Sequence, residues 1–183
     1  LMKNIKDVAD VYDEPIGDNS ILPTMLIAKL ASTKVKVALT GDGGDENFAG
    51  YDRYTYVNAS KYCSTLPPLA RDALRLIAQS IFTMYPTKQT ERMNRFMSTL
   101  GNAFYRKYVN YNSFFTNATK YSLYSKDFKE AVGSNDTYEI YRTFYDRKLS
   151  DLDNALKIDI NTYLPDDLLY KSDSMSMAHG LEL

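Results

Sequence analysis

The chain has 183 residues, 44% of them hydrophobic and 25% charged. That is one domain's worth of ordinary globular composition, able to bury a sizeable core and unlike a disordered chain. A formal net charge of -1 gives no electrostatic reason to bind a nucleic-acid backbone or an anionic membrane.

One cysteine, Cys63, excludes an intramolecular disulfide and fits a reducing compartment, the cytoplasm. One histidine, His179, excludes a multi-histidine zinc site and would have to be the base of any Ser-His-Asp triad. No run reaches the roughly 18 apolar residues of a membrane span, and no basic start with an apolar core suggests a secretory signal.

In chain order, Ile5, Val8, Ala9 and Tyr12 recur at helical spacing, so residues 2–12 read as the end of a helix. Asp13-Glu14-Pro15 stops it, because the residue before proline avoids the helical region. Asp18-Asn19-Ser20 is expected to cap a second helix, with Ile21, Met25, Ala28 and Leu30 mostly on one side and Pro23 tolerated in its first turn. Lys34 to Thr40 alternates Val35, Val37 and Leu39 with polar or small residues, which predicts a strand in need of sheet neighbours. From Asp52 onward the pattern is helical. Helices are expected over 52–63, 69–82, 88–99, 102–111, 125–132, 135–147, 150–163 and 165–178, with a loop at Gly133-Ser134-Asn135. The fold class is therefore α/β, predominantly helical, with residues 1–54 as an α/β segment and 55–183 as a helical one. Leu1 opens inside a helical pattern and Leu183 ends without a tail, so both ends read as cuts through a longer protein.

The chemistry concentrates in Thr40-Gly41-Asp42-Gly43-Gly44-Asp45-Glu46, placed after the strand. Three glycines allow a tight turn and close approach to a ligand, and a following helix offers unpaired amides to an anion. Asp42, Asp45 and Glu46 would repel a phosphate unless magnesium lay between, bridging carboxylate to phosphate oxygens. They equally suit an incoming ammonium or amino group. The plainer alternative is that Asp42 or Asp45 caps a helix and Glu46 complements its dipole.

This turn, with Asp13-Glu14-Pro15 through Ser20 before it and Phe48-Ala49-Gly50-Tyr51-Asp52-Arg53-Tyr54 after it, resembles the glutamine-hydrolysing asparagine synthetases in order and spacing. That family usually has Ser-Gly-(Asp/Glu)-Gly-(Gly/Ser)-Asp-Glu followed by Phe-Gly-Gly-Tyr. Thr40 stands for its serine, and Asn47 and Ala49 are departures. A second stretch, Leu164-Pro165-Asp166-Asp167-Leu168-Leu169-Tyr170-Lys171-Ser172-Asp173-Ser174-Met175-Ser176-Met177-Ala178-His179 with Leu181-Glu182 after it, is similar to the family's second long motif. Residues 55–150 match loosely.

The resemblance implies part of an adenine-nucleotide-hydrolase-like (ATP pyrophosphatase) domain with few strands, from the C-terminal synthetase domain. It implies an enzyme that uses ATP and Mg2+ to adenylate the aspartate side-chain carboxylate and then amidates it with ammonia derived from glutamine. It also implies a Ser-Gly-Gly-x-Asp-Ser phosphate loop and a terminal-cysteine glutaminase domain, both upstream of Leu1. Carried over by motif, Asp45 is a metal ligand, and Asp42 and Glu46 serve catalysis. Gly41, Gly43, Gly44 and Lys171 face ATP or pyrophosphate.

Plainer readings stand beside these. Asp167 and Lys171 at four-residue spacing make an exposed helix pair. His179 is a structural hydrogen-bonder, Met175 and Met177 are packing residues, and the tyrosines, Tyr105, Tyr108, Tyr111 and Tyr141 among them, are core-edge residues that could border an interface. Partners are expected to be small molecules, with no nucleic acid and no membrane, and a homodimer is compatible with this reading. Alternatives are an amidating paralogue with a different carboxylate substrate and a non-catalytic helical interaction module. The segment alone is expected to be inactive.

Overall fold

A computed structural model describes residues 2–115, 117–133 and 136–183. Leu1, at the expected helical opening, and Ser134 and Asn135 of the expected loop lie outside the described residues. The chain forms two compact units, one of residues 1–49 with 159–183 and one of residues 50–158.

In chain order the helices are α1 (Met2–Ala9), α2 (Ile21–Ala31), α3 (Gly44–Phe48), α4 (Arg53–Ser64), α5 (Pro68–Met84) and α6 (Lys88–Thr99). Then follow α7 (Phe104–Asn112), α8 (Asn117–Leu123), α9 (Lys126–Val132), α10 (Glu139–Phe144) and α11 (Asp151–Asn161). A π-helical turn, Leu164–Leu169, leads directly into α12 (Tyr170–Met177). Among the described residues no helix is long and apolar enough to cross a membrane.

In the first unit, α2 packs against both α1 and α12. Ile21, Met25 and Met175 with Tyr12 make its core, flanked by Val8, Ile16 and Leu22. Each fully buried Ile or Met there is worth about 1.5–3 kcal/mol. The spacing of Ile21, Met25 and Ala28 puts all three on the buried face as expected, but Leu30 is 71% exposed. Two residues beyond Ala28 on a helix is the far side, not the same stripe. The first helix also stops at Ala9 rather than running to Tyr12.

The expected strand is a correction. Residues 34–40 hold no ladder, and among the described residues the only bridge is a parallel one between Val37 and Glu182. It is made by Glu182 N donating to Lys36 O at 2.9 Å and Ala38 N to Glu182 O at 2.9 Å. Alternation marks a half-buried surface only where a sheet exists to bury it. Here Leu39 is 98% exposed. The chain is thus predominantly helical, as expected, with almost no strand among the described residues.

The second unit is built on α5 against α6 and on α7 against α6 and α10. Tyr54 and Tyr108 stack at 6.4 Å between ring centroids and 5° between planes, and Phe104 and Tyr108 stack at 6.0 Å and 12°. Offset aromatic pairs of this kind add to the area they bury. Arg75 on α5 donates to the carbonyls of Met97 and Leu100 at the end of α6. Fully buried Asn154 closes the turn before α11, donating to Asp146 O at 2.8 Å while its Oδ1 accepts from Asp146 N at 2.8 Å. Helix α8 had no counterpart among the expected elements. Short and mostly polar, Asn117–Leu123 carries no apolar stripe long enough to be read.

Candidate functional site

The glycine turn folds as its residue types dictate. Gly44 N donates to Gly41 O at 3.0 Å, closing the bend. Gly43 has φ 87°, the left-handed region that a side chain disfavours. Asn47 then reaches back, its Nδ2 donating to Gly43 O at 2.6 Å. Helix α3 is only five residues long, so its dipole is small and any anion would rely on individual amides. Of the three glycines expected to face phosphate, Gly44 has its amide already engaged within the turn, by Gly41 O.

The three acids part company. Asp42 and Asp45 are exposed, whereas Glu46 is 1% exposed and points into the unit. Asp42 is held from two directions. Thr40 Oγ1 donates to Asp42 Oδ2 at 3.3 Å, and Ser172 Oγ on α12 donates to the same oxygen at 2.7 Å. That second bond joins residues 130 apart in sequence and brings the two motifs together. Asp45 has no side-chain partner among the described residues and faces solvent. Asp42 and Asp45 do not cap α3 through their side chains, since its N-cap is Gly43 with no side-chain bond.

Lys171 is the other correction. It is not half of an exposed helix pair with Asp167: it is buried, and its Nζ donates to Asp18 Oδ2 at 2.5 Å and to Ser20 Oγ at 2.7 Å. Asp167 still feels the Lys171 charge, but the hydrogen bonds of Lys171 go to Asp18 and Ser20. Ser20, expected to cap α2, makes no cap bond to it. Instead Ser20 N and Oγ donate to the Asp18 carboxylate at 2.8 and 2.7 Å.

Burial pushes the Asp18 carboxyl up. The hydrogen bonds from Lys171 and Ser20, with the lysine charge, outweigh that and hold it below its ordinary value of 3.8. Burial raises Asp167, and the nearby Asp18 charge raises it further.

Met175 is fully buried, but Met177 is 58% exposed and packs little. His179 Nε2 is buried without a hydrogen-bond partner among the described residues. Asp18, Ser20 and Ser172 are the site residues that sequence reasoning missed. All three lie inside the two motifs, but no local spacing reveals a contact made across 130 or 153 residues.

The asparagine synthase family profile matches residues 1–183. The chain belongs to the asparagine synthase family. It is similar over its whole length to asparagine synthetase [glutamine-hydrolyzing] 1 of Bacillus subtilis (strain 168), at 27% identity over 184 residues that make up 28% of that protein. A putative asparagine synthetase [glutamine-hydrolyzing] of Mycobacterium bovis is 25% identical over 188 residues, covering 98% of this chain and 26% of its own length. A shorter match, 43% identical over 63 residues, covers 33% of this chain and 12% of putative asparagine synthetase [glutamine-hydrolyzing] 2 of Methanocaldococcus jannaschii. The chain thus spans little more than a quarter of the two relatives it matches end to end. No solved structure matches it significantly.

Of the two exposed carboxylates of the turn, Asp42 and Asp45, Asp42 is held by Thr40 and Ser172. Among the described residues no three His, Cys, Asp or Glu side chains converge on a metal position. Magnesium commonly takes one or two protein carboxylates and completes its shell with water and phosphate oxygens, so Asp45 fits as a partial ligand set.

Proposed function

We propose that the complete protein carrying this segment is an ATP-dependent amidotransferase that activates the aspartate side-chain carboxylate and amidates it with glutamine-derived ammonia, giving asparagine. One observation carries the reading. The Ser172–Asp42 hydrogen bond of 2.7 Å seats the acidic glycine turn against the second motif, so residues far apart in sequence form one polar site. Family membership and relatives named asparagine synthetase support the same reaction class.

In this reading Asp45 would be one ligand of Mg2+, which would supply neutralisation of phosphate charge there. Asp42, fixed by Thr40 and Ser172, faces the reacting carboxylate and the incoming ammonia. Its charge favours a cationic or hydrogen-bond-donating nucleophile. Lys171 supplies positive charge toward ATP or pyrophosphate. Gly41 and Gly43 bring backbone close to phosphate, Gly44 shapes the bend, and buried Glu46 acts from beneath the turn. Residues 1–183 are part of one adenine-nucleotide-hydrolase-like synthetase domain, and the phosphate loop and glutaminase domain belong to other parts of the protein. The protein works in the cytoplasm on small molecules, alone or as a homodimer.

The test is ATP–pyrophosphate exchange by the complete protein. Asp45→Asn is expected to abolish exchange while circular dichroism and thermal unfolding stay those of the parent. Unchanged exchange removes Asp45 from the metal site. Residues 1–183 alone are expected to bind ATP and magnesium weakly, and submicromolar binding by calorimetry contradicts the need for a separate phosphate loop.

A further inference from the structure

The ammonium of Lys171 carries three N–H donors. One goes to Asp18 Oδ2 and one to Ser20 Oγ. The third has no acceptor among the described residues, although the side chain is only 9% exposed. A buried ammonium left one bond short is costly unless something else supplies the acceptor.

The other two bonds are locked by a small closed network. Ser20 Oγ has a single proton and gives it to Asp18 Oδ2 at 2.7 Å. Its lone pairs therefore face Lys171, and its polarity is fixed. Asp18 also accepts from Ser20 N at 2.8 Å, which ties the carboxylate to the start of α2. Both acceptors thus have one orientation available, and they aim the remaining N–H in one direction. The next residue on α12, Ser172, bonds Asp42, so the same turn of helix presents both groups.

We propose that Asp18 and Ser20 are positioning residues that orient the Lys171 ammonium so that its third N–H meets a phosphate oxygen of the nucleotide. The inference rests on the synthetase reading above and deepens it. A lysine held this way cannot be replaced by arginine, whose planar fork does not fit two fixed acceptors set for a point charge.

The experiment is a double-mutant cycle in the complete protein, read as the rate and pyrophosphate KM of ATP–pyrophosphate exchange, with thermal unfolding alongside. Asp18→Asn is expected to lower the exchange rate about 10- to 100-fold, the scale on which loss of an orienting partner acts. In a Lys171→Met background the same substitution is expected to cost nothing further, and Asp18→Glu is expected to recover part of the rate. Should Asp18→Asn fail to fold, Ser20→Ala takes its place, with a smaller loss that also vanishes in the Lys171→Met background. Equal losses in both backgrounds, or no loss from either substitution, overturn the positioning role. The Asp45→Asn result separates the two failures. If Asp45→Asn abolishes exchange while the cycle is additive, the reaction class stands and only the positioning of Lys171 falls. If Asp45→Asn leaves exchange intact, the reading beneath both is lost.

Discussion

The two units hold themselves together by different means. The second, residues 50–158, relies on rings: Tyr54, Phe104, Tyr108 and Tyr145 stack in succession, and Tyr56 packs on Tyr111 at 4.7 Å. It also has polar tethers of its own, Arg106 to Asp136 and Tyr138 to Asn110, 30 and 28 residues apart in sequence. The first has a small apolar core of Tyr12, Ile21, Met25 and Met175, and two polar tethers of long sequence separation, Lys171 to Asp18 and Ser172 to Asp42. Apolar burial is non-directional and tolerates small shifts, whereas a hydrogen-bonded ion pair fixes direction. In the unit with the motifs the tethers join its two motifs, Lys171 to Asp18 and Ser172 to Asp42, whereas the other combines its tethers with a run of stacked rings.

That contrast can be broken most forcefully in the second unit. Tyr108→Ala removes the ring shared by both stacks and is expected to destabilise by about 3–5 kcal/mol in denaturant unfolding. Lys171 should keep its ability to support pyrophosphate exchange wherever the variant remains folded.

A smaller effect separates the tethers from the rings by pH. The Asp18 carboxyl is held below 3.8 in the fold, so its contribution is fully present above that unfolded value. It is lost as pH falls through the lowered folded value. Unfolding free energies at pH 7 and near pH 3 are expected to show the parent losing its advantage over Asp18→Asn at the acidic end. Asp167 works in the opposite sense. Its raised carboxyl favours the protonated form in the fold, so Asp167→Asn should stabilise the chain at neutral pH and not at acidic pH.

Ser172→Ala, which removes one hydrogen bond to an exposed carboxylate, is expected to cost about 1 kcal/mol of stability. Its larger signature is a fall in exchange rate, because Asp42 loses its tether. The smallest change is a gain. Ala49 sits at φ 58°, a conformation that costs a non-glycine residue about 1–2 kcal/mol. Glycine relieves that but adds about 0.4–1 kcal/mol of unfolded-state entropy. Ala49→Gly is therefore expected to stabilise by about 0.5–1 kcal/mol, measured as a shift in denaturation midpoint at constant slope.

Much of the helical framework was legible because local pattern decides it. Lys88–Thr99 formed over its expected span, and Thr87 closes its start with a capping box through Thr90. The need for glycine at position 43 was readable in the same way, from the crowding of three glycines in one bend. Residues 34–40 misled because alternation reports what a strand would do with neighbours, and one bridge is all they make here. Lys171 misled because four-residue spacing points only to a local candidate, Asp167, whose charge it does still feel. Its true partners lie 151 and 153 residues away. Such pairs follow from packing, which no local window contains.

The π-helical turn at Leu164–Leu169 has a mechanical consequence. Removing one residue from it would let the ring of hydrogen bonds tighten toward an ordinary helix and swivel everything beyond by about 100°. Lys171 and Ser172 would leave Asp18 and Asp42 together, although none of the four had been touched. A one-residue deletion there should silence the site as thoroughly as a substitution within it, which makes this short stretch the least tolerant of length change in the chain's second motif.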